Sequence, residues 1–254
     1  VKVIILAAGQ GSRLLPLTQD MPKALLDING QTLIGRQVDA FAACGVRHFV
    51  VVTGFRPELM EEALQRIATR NEVDIRIIYN PFYAVADNLA SCWMARREMD
   101  DDFVQVNGDN VFRADLAAAL LAASDAEIIA ATATKASFDA DDMKVALDGN
   151  KVRRIGKDLP AAQAGAEALG FYVFRGDGVR KYRQTLEQMI RTPEGLHQWF
   201  PAAIDQLARQ GMVQALDLSG RQWCEVDYPT DLALARELAA RWDAERHRPR
   251  LVKG

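Results

Sequence analysis

The chain has 254 residues, 49% hydrophobic and 26% charged, with a formal net charge of −3 at pH 7. These values describe a globular protein with a sizeable core and without the basic field that nucleic acid selects. Apolar runs such as VIILAA and EIIAATA are strand-length, far short of a membrane span.

In chain order, the pattern predicts a strand at Val3–Leu6, a helix over LIGRQVDAFAAC that stops at Gly45, and a strand at HFVVVT (48–53). Pro57 opens a helix over PELMEEALQRIATR, since proline is favoured at the first helical position. VDIRIIY (73–79) is a third strand, NLASCWMARREM a helix, and DFVQV (102–106) a fourth strand. Such alternation predicts a parallel sheet with helices on both faces. The second half changes character. MKVALDGNKVRRIGK reads as two strands around Asp148-Gly149-Asn150, a hairpin signal. LGFYVF is another strand, amphipathic helices follow near 177–190 and 200–210, then VQALDL and WCEVD as strands and a last helix from Pro229 to Ala244.

The expected fold class is therefore α/β, a Rossmann-like, mostly parallel central sheet with helices on both faces and a smaller antiparallel insertion. Residues 1–244 read as one domain with halves at 1–135 and 136–244, and 245–254 as a basic, solvated tail. The chain starts directly in a strand, so no signal peptide is expected. Cys44, Cys92 and Cys224 are odd in number and widely spaced, which argues against a disulfide framework or a zinc site and for a reducing cytoplasm. Metal binding would then fall to carboxylates and hard cations.

The first strand runs into LAAGQGSRLLPLTQDMPKALLDI (6–28). A glycine-rich turn after a strand lets backbone N–H groups approach phosphate oxygens. The dinucleotide fingerprint is excluded because Leu14 stands where its third glycine belongs, and no GxxxxGK[ST] string follows Gly9. What remains is a longer loop with Arg13, a fork that clamps two oxygens, and Lys23, a point charge beside the stiffening Pro22.

LAAGQGSR…PK resembles the signature of the sugar-phosphate nucleotidylyltransferase superfamily, written LAAGxGxR…PK, and the resemblance runs from residue 2 to about 240. It implies a reaction in which an NTP and a phosphorylated acceptor give an NDP-linked product and pyrophosphate. It also implies nucleotide contacts from Leu6, Ala7, Ala8, Gly9, Gly11 and Ser12, with Arg13 and Lys23 as the catalytic cations.

A bound triphosphate calls for Mg²⁺ held by hard oxygens. VQVNGDN places Asp109 just beyond an apolar strand, at the edge where open α/β sheets bind ligands. WCEVDYPTD places Glu225 and Asp227 two apart, on one face of a strand. The resemblance assigns the metal to aspartates matching Asp109 and Asp227, and Glu225 matches a further carboxylate of one branch.

NPFYAVADNLASCWMAR (80–96) resembles the N-x-x-Y…NN-x-x-S-x-x-x-A pattern of the phosphocholine and phosphonate cytidylyltransferases, with Asp87 in place of the first asparagine of the pair. Asn88 and Ser91 are candidates for reading cytosine; Asn88 as a cap of the following helix stays equally open. MKV…DG…IGKxL…GFY (143–172) resembles the acceptor-side insertion of the same branch. Lys157 matches a lysine that reaches the acceptor phosphate, with Lys144 a second, and Glu167 stands near the position of an acceptor-side glutamate, displaced by an inserted Ala166. Tyr172, Trp199, Trp223 and Glu225 are candidates for the aromatic faces and carboxylate that phosphocholine would need. A primary ammonium, as in aminoethylphosphonate, needs only acids and hydrogen-bond acceptors, and the same aromatics also serve as plain core.

The expected activity is that of a Mg²⁺-dependent cytidylyltransferase joining CTP to a small phosphorylated or phosphonate acceptor. The alternative is a sugar-1-phosphate nucleotidyltransferase using UTP, GTP or dTTP. Expected partners are the NTP and the acceptor, with no nucleic acid and no membrane; a homodimer stays open. A DxD-dependent glycosyltransferase would leave Arg13 and Lys23 without a role, and a non-catalytic sensor would leave the acidic sites without one.

Overall fold

Strand alternation divides the interior into two cores. In the computed structural model, which describes residues 1–246, β1 (Lys2–Ala7) points Val3 and Ile5 into one core and Ile4 into the other. It is followed by α1 (Leu33–Ala42), β2 (His48–Thr53), α2 (Pro57–Asn71), β3 (Asp74–Tyr79), α3 (Asn88–Met94), β4 (Phe103–Asn107), β5 (Asn110–Phe112), α4 (Ala114–Leu121) and β6 (Ile128–Ala133). The second half adds the hairpin β7 (Lys144–Asp148) and β8 (Lys151–Gly156), then β9 (Ala166–Phe174), α5 (Gly176–Ile190), α6 (Pro201–Arg209), β10 (Val213–Asp217), β11 (Trp223–Glu225) and α7 (Pro229–Arg246).

Nine strands form one mixed sheet in the order β3-β2-β1-β4-β9-β6-β10-β8-β7. β1 to β4 are parallel neighbours, as the βαβ alternation predicts. β9 enters antiparallel between β4 and β6, while β10 lies parallel to β6. The antiparallel hairpin joins this same sheet, contacting β10 through β8 and β9 through β7.

Apolar residues of α1, α2 and α4 cover one face, and those of α3, α5 and α6 the other. β5 and β11 make a separate two-stranded ribbon. A third apolar cluster joins this ribbon to α7 and to the first loop: Leu14, Leu26 and Ile28 meet Val111, Val226, Leu232 and Trp242. Local chemistry agrees with these placements. Thr32 Oγ1 caps α1 by accepting from Gly35 N at 3.1 Å, and Asp231 Oδ2 caps α7 by accepting from the Asp227 and Tyr228 amides at 3.0 and 2.7 Å.

Two expectations are corrected. The helix expected over 88–99 is α-helical only to Met94 and tightens into a 3-10 turn at Ala95–Arg97, placing Met99 in the second core. The strand expected over 223–227 stops at Glu225, because its partner β5 begins only at Asn110; Asp227 lies past the strand end. From residue 247 the expected basic tail lies outside the described residues. Among the described residues, no helix is long and apolar enough to cross a membrane.

Leu14 is fully buried where the first loop meets α7. Leu14→Ala should lower unfolding stability by about 2–5 kcal/mol, the range for emptying a packed leucine site, measured by denaturant titration.

Candidate active site

The first loop leaves β1 at Ala7 and is tied by its own chain. Thr18 Oγ1 donates to Gly11 O at 2.7 Å, and Gln10 Nε2 donates to Thr18 O at 3.1 Å. Gly11 has φ +81°, and a Cβ built on it would come within 2.8 Å of Lys23 Cβ. The glycine thus allows the left-handed turn and lets the Lys23 stem lie along the loop.

Lys23, carried on the 3-10 turn Lys23–Leu25 after Pro22, spans two carboxylates. Its Nζ donates to Asp109 Oδ2 at 3.1 Å and to Asp227 Oδ1. Burial opposes its charge, but the Asp109 and Asp227 carboxylates overcome that and raise its pKa. Arg13 Nη1 donates to Asp227 Oδ2 at 3.1 Å, and its guanidinium lies 5.5 Å from the centre of the Tyr228 ring. Burial works against the Asp227 charge too, and Lys23 and Arg13 hold its carboxyl below the usual range nonetheless.

Asp109, Glu225 and Asp227 present carboxylate oxygens within 4.8 Å of one another. Asp109 sits in the two-residue turn between β4 and β5, and Val226 N donates to its carbonyl at 3.0 Å, linking the turn to the segment that carries the other two acids. Glu225 keeps access to solvent, and the neighbouring Asp109 charge, more than its depth in the cleft, pushes its carboxyl up to about 8. Asp109 Oδ1 is buried without a hydrogen-bond partner among the described residues. Three carboxylates within reach of one another, one of them with an oxygen unmet among the described residues, form a donor set that suits a hard divalent cation.

These groups open onto a cavity of about 1120 Å³, continuous with a smaller one of about 220 Å³. Gly9, Gly11, Asn88 and Asp109 line both; Ser12 and Arg13 line the larger, and Leu6, Ala7, Ala8 and Lys23 the smaller. Asn88 occupies the first turn of α3, and the N-cap of that helix is Asp87. The Asn88 amide instead accepts from Phe200 N at 2.8 Å, fixing the start of α6 and leaving its NH₂ as the free end. Ser91 is buried outside both cavities, its Oγ accepting from Asn80 Nδ2 at 3.0 Å. It braces the segment before α3 and does not reach the cavity.

The larger cavity is also lined by Lys157, Glu167, Tyr172, Trp199 and Trp223. Lys157 Nζ lies 4.2 Å from the centre of the Trp199 ring and 3.4 Å from Asp141 Oδ1. Tyr172 shows the cavity only its edge, for it is 1% exposed and packs against Phe200. Lys144 is a correction: it is buried and donates to the carbonyls of Asp139 and Asp142 at 2.8 and 3.3 Å, so it ties a loop and does not line the cavity.

That loop contributes residues that sequence reasoning missed. Lys135 pairs with Asp142 at 2.6 Å and with Glu167 at 3.3 Å, and Asp141 stands 3.9 Å from Arg13 as well as beside Lys157. Burial pushes the Glu167 carboxyl up, and Lys135 only partly offsets it. The signal was present as three aspartates within positions 139–142, just ahead of the hairpin.

Comparison with known proteins now has a site to refer to. Residues 3–200 match the MobA-like NTP transferase domain. The chain belongs to that family. The matched span includes Arg13, Lys23 and Asp109, while Glu225 and Asp227 lie beyond it. A CMP-5′-(3-aminopropyl)phosphonate synthase of Streptomyces rubellomurinus is 28% identical over 264 residues, covering 100% of this chain and 40% of that protein. A choline-phosphate cytidylyltransferase of Streptococcus pneumoniae is 31% identical over 121 residues, 46% of this chain and 50% of that protein. These matches span half or less of the curated relatives' own length. Among solved structures, the inositol-1-phosphate CTP transferase of T. maritima superposes with a TM-score of 0.79 over 94% of each chain at 20% identity, a likeness of fold.

Lys23→Ala and Asp109→Asn should each lower nucleotidyl transfer at least ~100-fold, the scale for loss of a preorganised electrostatic group. Turnover of the folded variants, checked by circular dichroism, measures this.

Proposed function

We propose that the chain is a cytidylyltransferase that joins CTP to a small acceptor bearing a phosphate or phosphonate at one end and a positive charge at the other. The observation that carries this reading is a cleft lined by Arg13 and three convergent carboxylates, two of them bridged by Lys23, and by Lys157 and the acids of the 139–142 loop, with Asp141 standing beside both Arg13 and Lys157. The names of the Streptomyces and Streptococcus relatives supply the acceptor class.

In the proposed reaction an acceptor oxygen attacks the α-phosphorus of CTP. A P–O bond forms there, the bond to the bridging oxygen breaks, and pyrophosphate leaves. Both reactants are anions, so the work falls on positioning and charge compensation. The first loop admits the triphosphate; Lys23 turns toward the α-phosphate, and Arg13 holds the departing pyrophosphate. Lys157 holds the acceptor phosphate or phosphonate against the α-phosphorus. Asp109 and Asp227, with Glu225, would hold Mg²⁺, which neutralises phosphate charge and polarises the reacting phosphorus when bound.

Asn88 supports the choice of base. With its carbonyl oriented onto Phe200 N, the amide has its two N–H donors left for a ligand. A donor suits N3 of cytosine, which accepts, and clashes with N3 of uracil, which carries hydrogen. Lys157 already stacks on Trp199, leaving Trp223 of the indoles in the cavity, whereas the carboxylates of Asp139, Asp141, Asp142 and Glu167 line it to meet a positive group. That favours a primary ammonium over a quaternary one, which needs aromatic faces.

The test is pyrophosphate release with Mg²⁺ from each NTP crossed with aminoalkylphosphonates, phosphoethanolamine, phosphocholine and sugar-1-phosphates. Turnover confined to CTP with an amine-bearing acceptor is expected; turnover confined to a sugar-1-phosphate with UTP, GTP or dTTP overturns the reading. Asn88→Ala should lower the CTP-to-UTP preference more than it lowers the rate with CTP, measured as the ratio of kcat/KM values.

A further inference from the structure

The carboxylate of Asp109 can serve a metal only if its turn is held still, and the holding is uneven around it. On one side Gly108 N donates to Leu6 O at 2.9 Å. A Cβ at Gly108 would come within 2.5 Å of that same oxygen, so the turn lies directly on β1. On another side the Asp109 carbonyl accepts from Val226 N. Both are backbone bonds. Lys23 holds the carboxylate itself, and the backbone of the turn is gripped in addition by one side chain from a different layer, Gln37 of α1.

Gln37 is 1% exposed. Its Nε2 donates to Asn107 O at 2.9 Å and to Asn110 O at 2.8 Å, the two carbonyls that bracket Gly108 and Asp109. Both N–H groups of one amide are spent closing the ends of this turn. Its Oε1 is buried with no partner among the described residues. A core position that only needed filling would carry an apolar side chain, as Val38 and Phe41 do on the same helix. An amide that leaves its own acceptor unmet is retained for what its donors do. Asn110 is anchored in turn, its Nδ2 donating to Leu169 O at 3.1 Å on β9.

We infer that Gln37 is a positioning residue for the metal ligand Asp109: it pins the β4–β5 turn so that the carboxylate is presented to the cation with its aim already set. The inference rests on the reading of Asp109, Glu225 and Asp227 as the metal site. Without Gln37 the strands and the apolar core remain, and only the aim of the carboxylate loosens. The loss should therefore appear in metal affinity before it appears in the rate at saturating metal.

The experiment is titration of the metal-free protein, alone and with CTP, with Mn²⁺ followed by electron paramagnetic resonance, which counts bound metal independently of turnover. Gln37→Met fills the site without donors, and Gln37→Glu keeps the shape while offering at most one donor, as the neutral acid, for the two carbonyls. Both should weaken Mn²⁺ binding about tenfold or more, the scale for loss of a group that orients a metal ligand, and raise the Mg²⁺ concentration for half-maximal rate in parallel. Val38→Ala, a cavity in the same helix without contact to the turn, should lower Tm and leave Mn²⁺ binding unchanged. Gln37 variants that fold and bind Mn²⁺ within twofold of wild type overturn the inference. So does Val38→Ala weakening Mn²⁺ binding as much, since that would make the effect one of general stability. Asp109→Asn separates the two layers. If it keeps Mn²⁺ binding, the metal assignment falls and the inference with it; if it loses binding while the Gln37 variants do not, only the role of Gln37 falls.

Discussion

Three carboxylates in one cleft repel one another, and the position of Lys23 makes the arrangement tolerable. At an effective dielectric near 20, two unit charges 4 Å apart interact by about 4 kcal/mol. Lys23 makes two attractions on that scale, to Asp109 and Asp227, against the single repulsion between those acids. The balance favours an ionised Asp227. Glu225 faces the Asp109 charge first, and Lys23 and Lys157 offset that repulsion only in part, so its affinity for a proton rises instead. The backbone around the site serves this one side chain: the open Gly11, the stiff Pro22 and the α7 cap at Asp231 each fix a group that Lys23 touches.

The third apolar cluster gives the arrangement its reach across the sequence. Asp227 and Lys23 are 204 positions apart, yet the segments bearing them pack through Leu14, Leu26 and Ile28 against Val226 and Leu232. Burying side chains of this size stabilises by roughly 1.5–3 kcal/mol each, enough to hold a mobile loop against a helix. The β5–β11 ribbon then sets the height of Asp109 relative to Glu225 through direct pairing of Asn110 with Glu225.

How much of this could be read from residues alone depended on whether the cause was local. HFVVVT and the DGN hairpin were legible because burial and turn chemistry act within a few residues. The three-residue β5, by contrast, has no period of its own and exists because β11 pairs with it. The same distinction divides the site. Arg13, Lys23 and Asp109 were legible because a strand end followed by glycines and charges has few structural uses. Ser91 and Lys144 were misplaced because sequence spacing does not say which way a side chain faces: one points at Asn80, the other at its own loop. Lys135 and Asp141 matter only because β9 brings the hairpin alongside the first loop, a pairing no local pattern encodes.

Asp141 sets a condition on filling the cleft. Its carboxylate lies beside both Arg13 and Lys157, cations from opposite halves of the chain. A ligand anion that pairs with both cations competes with that exposed carboxylate for them. Its loop is tied from within, Asp139 accepting from the Asp141 and Asp142 amides and Lys144 holding the carbonyls. The same loop carries Asp142, which anchors Lys135 beside Glu167. One short loop thus supplies a carboxylate to Arg13 and Lys157 and another to Lys135, so two stretches of the cleft wall share a single backbone tether.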